Sequence, residues 1–168
     1  TSPIVAIDRE AALKQAEKLL RQGKLDGAIA EYVRLIEDQP RDWNSINALG
    51  DLYVRAGDLD RAVAQFIQVA DPLFGEGFLP KAAALYKKAL KIQAGHEHTV
   101  LRLSEIAARQ GLLADARMYL RQLGRQRHDR GDTRGAAECL VRLALLDEAD
   151  ADAKLAGARA SQALGDTP

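Results

Sequence analysis

Three groups of side chains in this sequence are of types that could do chemistry. His96, Glu97 and His98 stand together in "GHEHT". Two imidazoles are what a transition metal binds, but alternate residues at a helix start point in different directions, and no cysteine or third histidine lies near in sequence to complete a set. The local reading is a solvated turn, and no metal is expected. Cys139 lies in the apolar run "AAECLVRLALL". With no neighbouring histidine to take its proton, it reads as a small buried hydrophobe, not a nucleophile. Arg117, Arg121 and Arg125 recur at every fourth position, so they share one helix face; Arg127, Arg130 and Arg134 follow, with Asp129 and Asp132 as counter-charges. Such a stripe is either a solvated face paired with acids of an adjacent helix or a patch for an acidic protein. Nucleic acid is the weakest of these readings, because the net charge is nil. The sequence has no glycine-rich phosphate loop and no nucleophile motif, so neither catalysis, a cofactor nor a small-molecule substrate is indicated.

The elements that must position these groups follow from composition and spacing. Apolar residues make up 47% of the chain and aromatics only 5%; the apolar share is mostly Ala and Leu, which favours helix throughout. Lys plus Arg and Asp plus Glu both total 24, so no global charge draws the chain to nucleic acid or an anionic membrane. No apolar run approaches the ~18 residues of a membrane span, so insertion is not expected. The opening "TSPIVAIDRE" lacks the basic start and apolar stretch of a signal peptide. The sequence does not begin with Met, so Thr1 is read as a cut or processing boundary and an upstream targeting segment stays open. Cytoplasm is the default location, with periplasm kept open.

In "ALGDLYVRAGDLDRAVAQF" small residues alternate at fixed offsets with large ones: Leu49, Gly50, Tyr53, Gly57, Ala62 and Phe66. Gly23, Ala28 and Tyr32 precede Gly57, Ala62 and Phe66 by one common interval, while Leu103, Ser104, Gly111, Ala116 and Leu120 follow their counterparts by a second, longer one. Gly50 and Ala62 are small because two helices cross there, and Leu49, Tyr53 and Phe66 fill the space around the crossing. Gly57 suits the reversal after the first helix, and Asp58 can cap the next.

The shorter interval is a 34-residue period. With L-G-x-x-Y, then A-x-x-x-F, then Pro, it resembles the tetratricopeptide repeat, a helix-turn-helix unit that stacks into a solenoid. Residues 43 to 66 match best, with Ile46 where the family usually has Trp. The longer interval, a 54-residue offset, needs a third helix, supplied by "FLPKAAALYKKALKI" and "TRGAAECLVRLALL", introduced by Gly77 and Gly131. The expectation is an all-α, right-handed superhelical solenoid forming a single domain over residues 1–168. It comprises a hairpin at 8–38, three-helix units at 44–93 and 98–147, and an unpaired C-terminal helix at 150–164. Asp8 caps the first helix in this reading. Pro72 falls inside the long middle helix, which it either bends or ends at Asp71.

The resemblance implies a protein-binding scaffold of the bacterial type; similar arrays act in secretion, pilus assembly, cell polarity and organelle coats. Its ligand surface is the concave face, lined by first helices. Carried over residue by residue, that face holds Glu10, Leu13, Glu17, Leu20 and Arg21, then Asn44, Asn47, Asp51, Val54 and Arg55, then His98, Leu101, Glu105, Ala108 and Arg109. Leu13 and Glu17 stand where chaperone-binding members carry the residues that grip a C-terminal carboxylate, so that ligand type is not expected. An acid followed by Arg at the fourth position after it recurs in each group: Glu17 with Arg21, Asp51 with Arg55, Glu105 with Arg109. These are either exposed ion pairs or a polar ladder for a protein or peptide partner. The unpaired small-residue face of 150–164 is expected to fray or to self-associate.

Overall fold

The computed structural model describes residues 6–165, which form eight helices and no strand. They are α1 (Arg9–Arg21), α2 (Leu25–Asp38), α3 (Trp43–Ala56), α4 (Leu59–Gly75), α5 (Leu79–Ile92), α6 (Glu97–Arg109), α7 (Leu113–Asp129) and α8 (Thr133–Gly165). Residues 1–5 and 166–168 of the expected single domain lie outside this description. Contacts gather the chain into two compact units, Thr1–Ala94 and Gly95–Pro168.

In the first unit, α1 to α5 pack as successive antiparallel neighbours. Asp8 caps α1 by accepting from the amides of Glu10 and Ala11 at 3.0 and 3.2 Å, and Asp58 caps α4 through the Arg61 amide at 3.3 Å. Gly57 ends α3 at a φ of 76°, left-handed backbone that a Cβ would strain. Gly23 and Gly77 take the same conformation at the α1–α2 and α4–α5 turns. Ala28, Ala62, Ala82 and Ala89 have no exposed surface, consistent with helices crossing at small side chains. The core gathers Leu49, Tyr53, Ala62, Val63, Phe66 and Ala89, flanked by Ile29 and Tyr32 from α2 and by Leu85 and Ile92 from α5. α4 therefore serves two hairpins. Pro72 does not break it: the helix runs to Gly75, and the Pro72 carbonyl still accepts from the Glu76 amide at 3.0 Å, so the proline costs the single bond its N–H would have given to the Gln68 carbonyl. A tether crosses the unit from α1, with Arg9 Nε reaching Asp42 at 2.6 Å. Asp42 also caps α3 through Ser45.

The second unit repeats the scheme with α6, α7 and α8. His96 caps α6, its Nδ1 accepting from the Thr99 amide at 3.4 Å and lying 2.9 Å from the Thr99 hydroxyl. The break expected between residues 147 and 150 is absent, and the helix expected at 150–164 is the continuation of α8. Two causes are visible. The first-copy turn Gln93–His96 contains Gly95 and a cap, whereas its counterpart Asp147–Asp150 holds only acids and Ala, with no turn residue. Arg117 of α7 then bridges the site of the expected break, 2.8 Å from Asp147 and 3.2 Å from Asp150.

Candidate partner-binding faces

On α1, Leu13 is half-buried while Glu10, Glu17 and Arg21 are exposed; Glu10 pairs with Lys14 at 2.7 Å. On α3, Asn44, Asp51, Val54 and Arg55 are exposed and Asn47 is half-buried. The structure brings Asn47 and Asp51 together through a residue absent from the expected set. Lys88 of α5 donates to Asn47 Oδ1 at 3.2 Å and to Asp51 Oδ1 at 2.7 Å, and its Nζ lies 4.3 Å from the centre of the Phe66 ring. Phe66 lies under this cluster because Gly50 makes room: a Cβ on Gly50 would stand 2.6 Å from Phe66 Cε1. The result is a polar site with an acceptor, an amide and a cation over an aromatic floor.

The second unit carries the same bridge, displaced by the longer repeat interval. His98, Leu101, Glu105 and Ala108 are half-buried on α6 and Arg109 is exposed. Glu105 accepts from Arg102 at 2.8 Å and from Arg142 of α8 at 3.5 Å. Glu105 and Arg142 are thus the counterparts of Asp51 and Lys88. Ser104 replaces Gly50 and Leu120 replaces Phe66; the smaller side chain leaves a cleft of about 220 Å³ beside Ser104, Glu105, Arg142 and Leu145. Two of the three acids of the expected ladder, Asp51 and Glu105, are therefore engaged by cations of a third helix. A periodic signal could have found this, since Lys88 and Arg142 are themselves separated by that longer interval.

The remaining chemistry-bearing residues have structural duties. Glu97 pairs with Arg127 at 3.2 Å and Arg130 at 2.6 Å, so within the His96–Glu97–His98 cluster Glu97 is spent on charge pairing and His96 on capping, while the His98 ring stands edge-on to that of His96. Cys139 is buried, and burial pushes its thiol above the usual range. Of the six arginines in the stripe, Arg117 reaches Asp147 and Asp150, Arg127 reaches Glu97 and Glu138, Arg130 reaches Glu97 and Asp132, and Arg134 reaches Glu138. A continuous basic surface is not formed, which removes the support for nucleic acid or an acidic protein bound along the whole stripe. Among the described residues only Arg121 and Arg125 of the six make no ion pair. No helix among the described residues is long and apolar enough to cross a membrane.

The tetratricopeptide repeat family matches residues 13–77, from α1 through the turn after α4. No curated protein matches the sequence. Among solved structures, MamA aligns at 14% identity over 88% of this chain and 99% of its own, with a TM-score of 0.36. PilF of Pseudomonas aeruginosa aligns at 14% identity over 82% and 75%, with a TM-score of 0.35. A thermophilic repeat protein of Thermus thermophilus aligns at 16% identity over 92% and 100%, with a TM-score of 0.33. With the turn glycines, crossing alanines and helix order of α1 to α4 in place, it is residues 13–77 that match the tetratricopeptide repeat family.

Proposed function

We propose that the chain is a non-catalytic scaffold that holds a segment of a partner protein against the α3/α5 face of its first unit. The observation that carries this reading is the Asn47, Asp51 and Lys88 cluster over Phe66. An acceptor, an amide and a cation within one patch are what a segment's backbone N–H and C=O groups need, and exposed Val54 beside them offers an apolar contact. The recurrence of the bridge at Glu105 and Arg142 gives the second unit a face of the same chemistry. Each cation already has an acidic neighbour, so a partner with a few apolar anchors and polar groups fits better than a highly charged one, and the salt dependence of binding should be shallow.

The test is capture of binding partners from the source organism's lysate by the wild type and by Asn47→Ala/Arg55→Glu. Arg55 is exposed, and Asn47, half-buried, gives up only its bond from Lys88, which keeps Asp51, so the melting temperature should hold while capture falls. Capture that survives this change but is lost in Arg121→Glu/Arg125→Glu would move the working surface to α7 and overturn the proposal.

A further inference from the structure

The second unit leaves one face open, and the same unit carries the chemistry to cover it. α8 meets α7 through Gly135, Cys139 and Asp150: Arg127 donates to the Gly135 carbonyl, a Cβ on Gly124 would stand 3.2 Å from Cys139 Cβ, and Arg117 holds Asp150. The opposite side of α8 is an apolar stripe at helical spacing, with Leu140, Val141 and Leu145 exposed at 67%, 60% and 59%. Beside it, a groove of about 340 Å³ runs between α7 and α8, floored by Leu120, Cys139, Leu140 and Leu143 and rimmed by Arg121 and Arg125.

The rim arginines are not a requirement of the fold. Their first-unit counterparts are Ile67, which packs against the core, and Asp71, which accepts the Tyr86 hydroxyl. A following helix packed on this surface would have to desolvate two cations that have no ion-pair partner among the described residues. The occupant must therefore bring acid as well as apolar surface. The continuation of α8 does both: Glu148 and Asp152 are exposed, likewise without an ion pair among the described residues, and exposed Leu155 lies on the same side of the helix as Val141 and Glu148.

We infer that the groove between α7 and α8 takes the acidic stretch of α8 from a second copy of this chain. Antiparallel pairing of two α8 helices lays the acidic half of each over the apolar half and arginine rim of the other, so each copy gives and receives the same contact. That is a closed two-fold interface. The apolar stripe is buried, and Glu148 and Asp152 meet Arg121 and Arg125 in that order.

The experiment is sedimentation equilibrium on the full chain over a wide concentration range. The wild type should show a reversible monomer–dimer equilibrium that weakens as salt rises. Arg121→Glu/Arg125→Glu and Glu148→Arg/Asp152→Arg should each weaken it by at least about tenfold. An equimolar mixture of the two variants should regain a dimer, because each then carries the charge that the other lacks. Circular dichroism establishes that both variants fold, and Arg121→Gln/Arg125→Gln serves as the milder substitution. A wild type that stays monomeric throughout, a dimer that survives either charge reversal, or a mixture that stays monomeric would overturn the inference. None of these changes touches α3 or α5, so the outcome is independent of partner capture by the first unit.

Discussion

Gly50 with Phe66 and Ser104 with Leu120 occupy equivalent positions in the two units, and a double-mutant cycle tests whether each pair is one packing solution. In Gly50→Ser the new Cβ stands 2.6 Å from Phe66 Cε1 and 3.0 Å from Cδ1 and Cζ, closer than real Cβ contacts come. Phe66 is buried at 1% exposure and has little room to yield. Overpacking of this kind costs about 1–3 kcal/mol, against a gain of roughly 0.5 kcal/mol in helix propensity for Gly to Ser. The net expectation is destabilisation by about 1–2 kcal/mol. Phe66→Leu loses buried surface and the ring beneath Lys88, for a further cost of about 1–2 kcal/mol. The double variant recreates the second unit's pair and relieves the clash, so it should be more stable than the sum of the singles by at least about 1 kcal/mol. Urea denaturation followed by circular dichroism measures all four proteins. Additivity within about 0.5 kcal/mol would show that the two positions do not share a constraint, and the argument for Gly50 would fail.

Other outcomes follow from the same packing and charges. Ala62→Leu and Ala116→Leu, both at positions without exposed surface, should each cost roughly 1–3 kcal/mol, and unchanged melting temperatures would refute the crossings. Gly157→Ala, in an exposed part of α8 with nothing within 4 Å of the new Cβ, should stabilise by up to about 1 kcal/mol; any loss would mean that this part of α8 is not helical. Burial raises the Asp42 carboxyl, but hydrogen bonds from Arg9 and Ser45 outweigh it and hold the group below the usual carboxylate range. Its contribution is therefore complete above roughly pH 4 and is lost as pH falls through the lowered folded value. Asp42→Asn should flatten the acid limb of a melting-temperature titration, and an unaltered limb would remove Asp42 from the tether.

Much of the architecture could be read from residue spacing because the fold is built from local rules. The turn glycines Gly23, Gly57, Gly77, Gly111 and Gly131 all adopt positive φ, and each was identifiable from its place between helical periodicities. The caps Asp8 and Asp58 are likewise local. What spacing concealed depends on contacts between helices. Lys88 looks like an ordinary surface lysine until α5 is laid beside α3 and it reaches Asp51. The arginine stripe looks continuous until the acids of neighbouring turns and helices are placed against it. The fusion of two expected helices into α8 was signalled by an absence, since no glycine or proline stands between Leu146 and Leu155 where the first copy has Gly95.

That fusion gives the second unit a rigid ruler. At about 1.5 Å per residue, the 33 residues of α8 extend roughly 50 Å. α7 grips the N-terminal half as far as Asp150, while every residue from Ala151 to Gly165 is exposed. Whatever the outer half presents is held at a fixed distance and a fixed angular phase. One residue inserted after Asp150 would turn everything beyond it by about 100° while advancing it only about 1.5 Å. An insertion of a full heptad would lengthen the rod by about 10 Å and return its faces to within about 20° of register. A flexible tether would answer to length alone; this helix also answers to rotation.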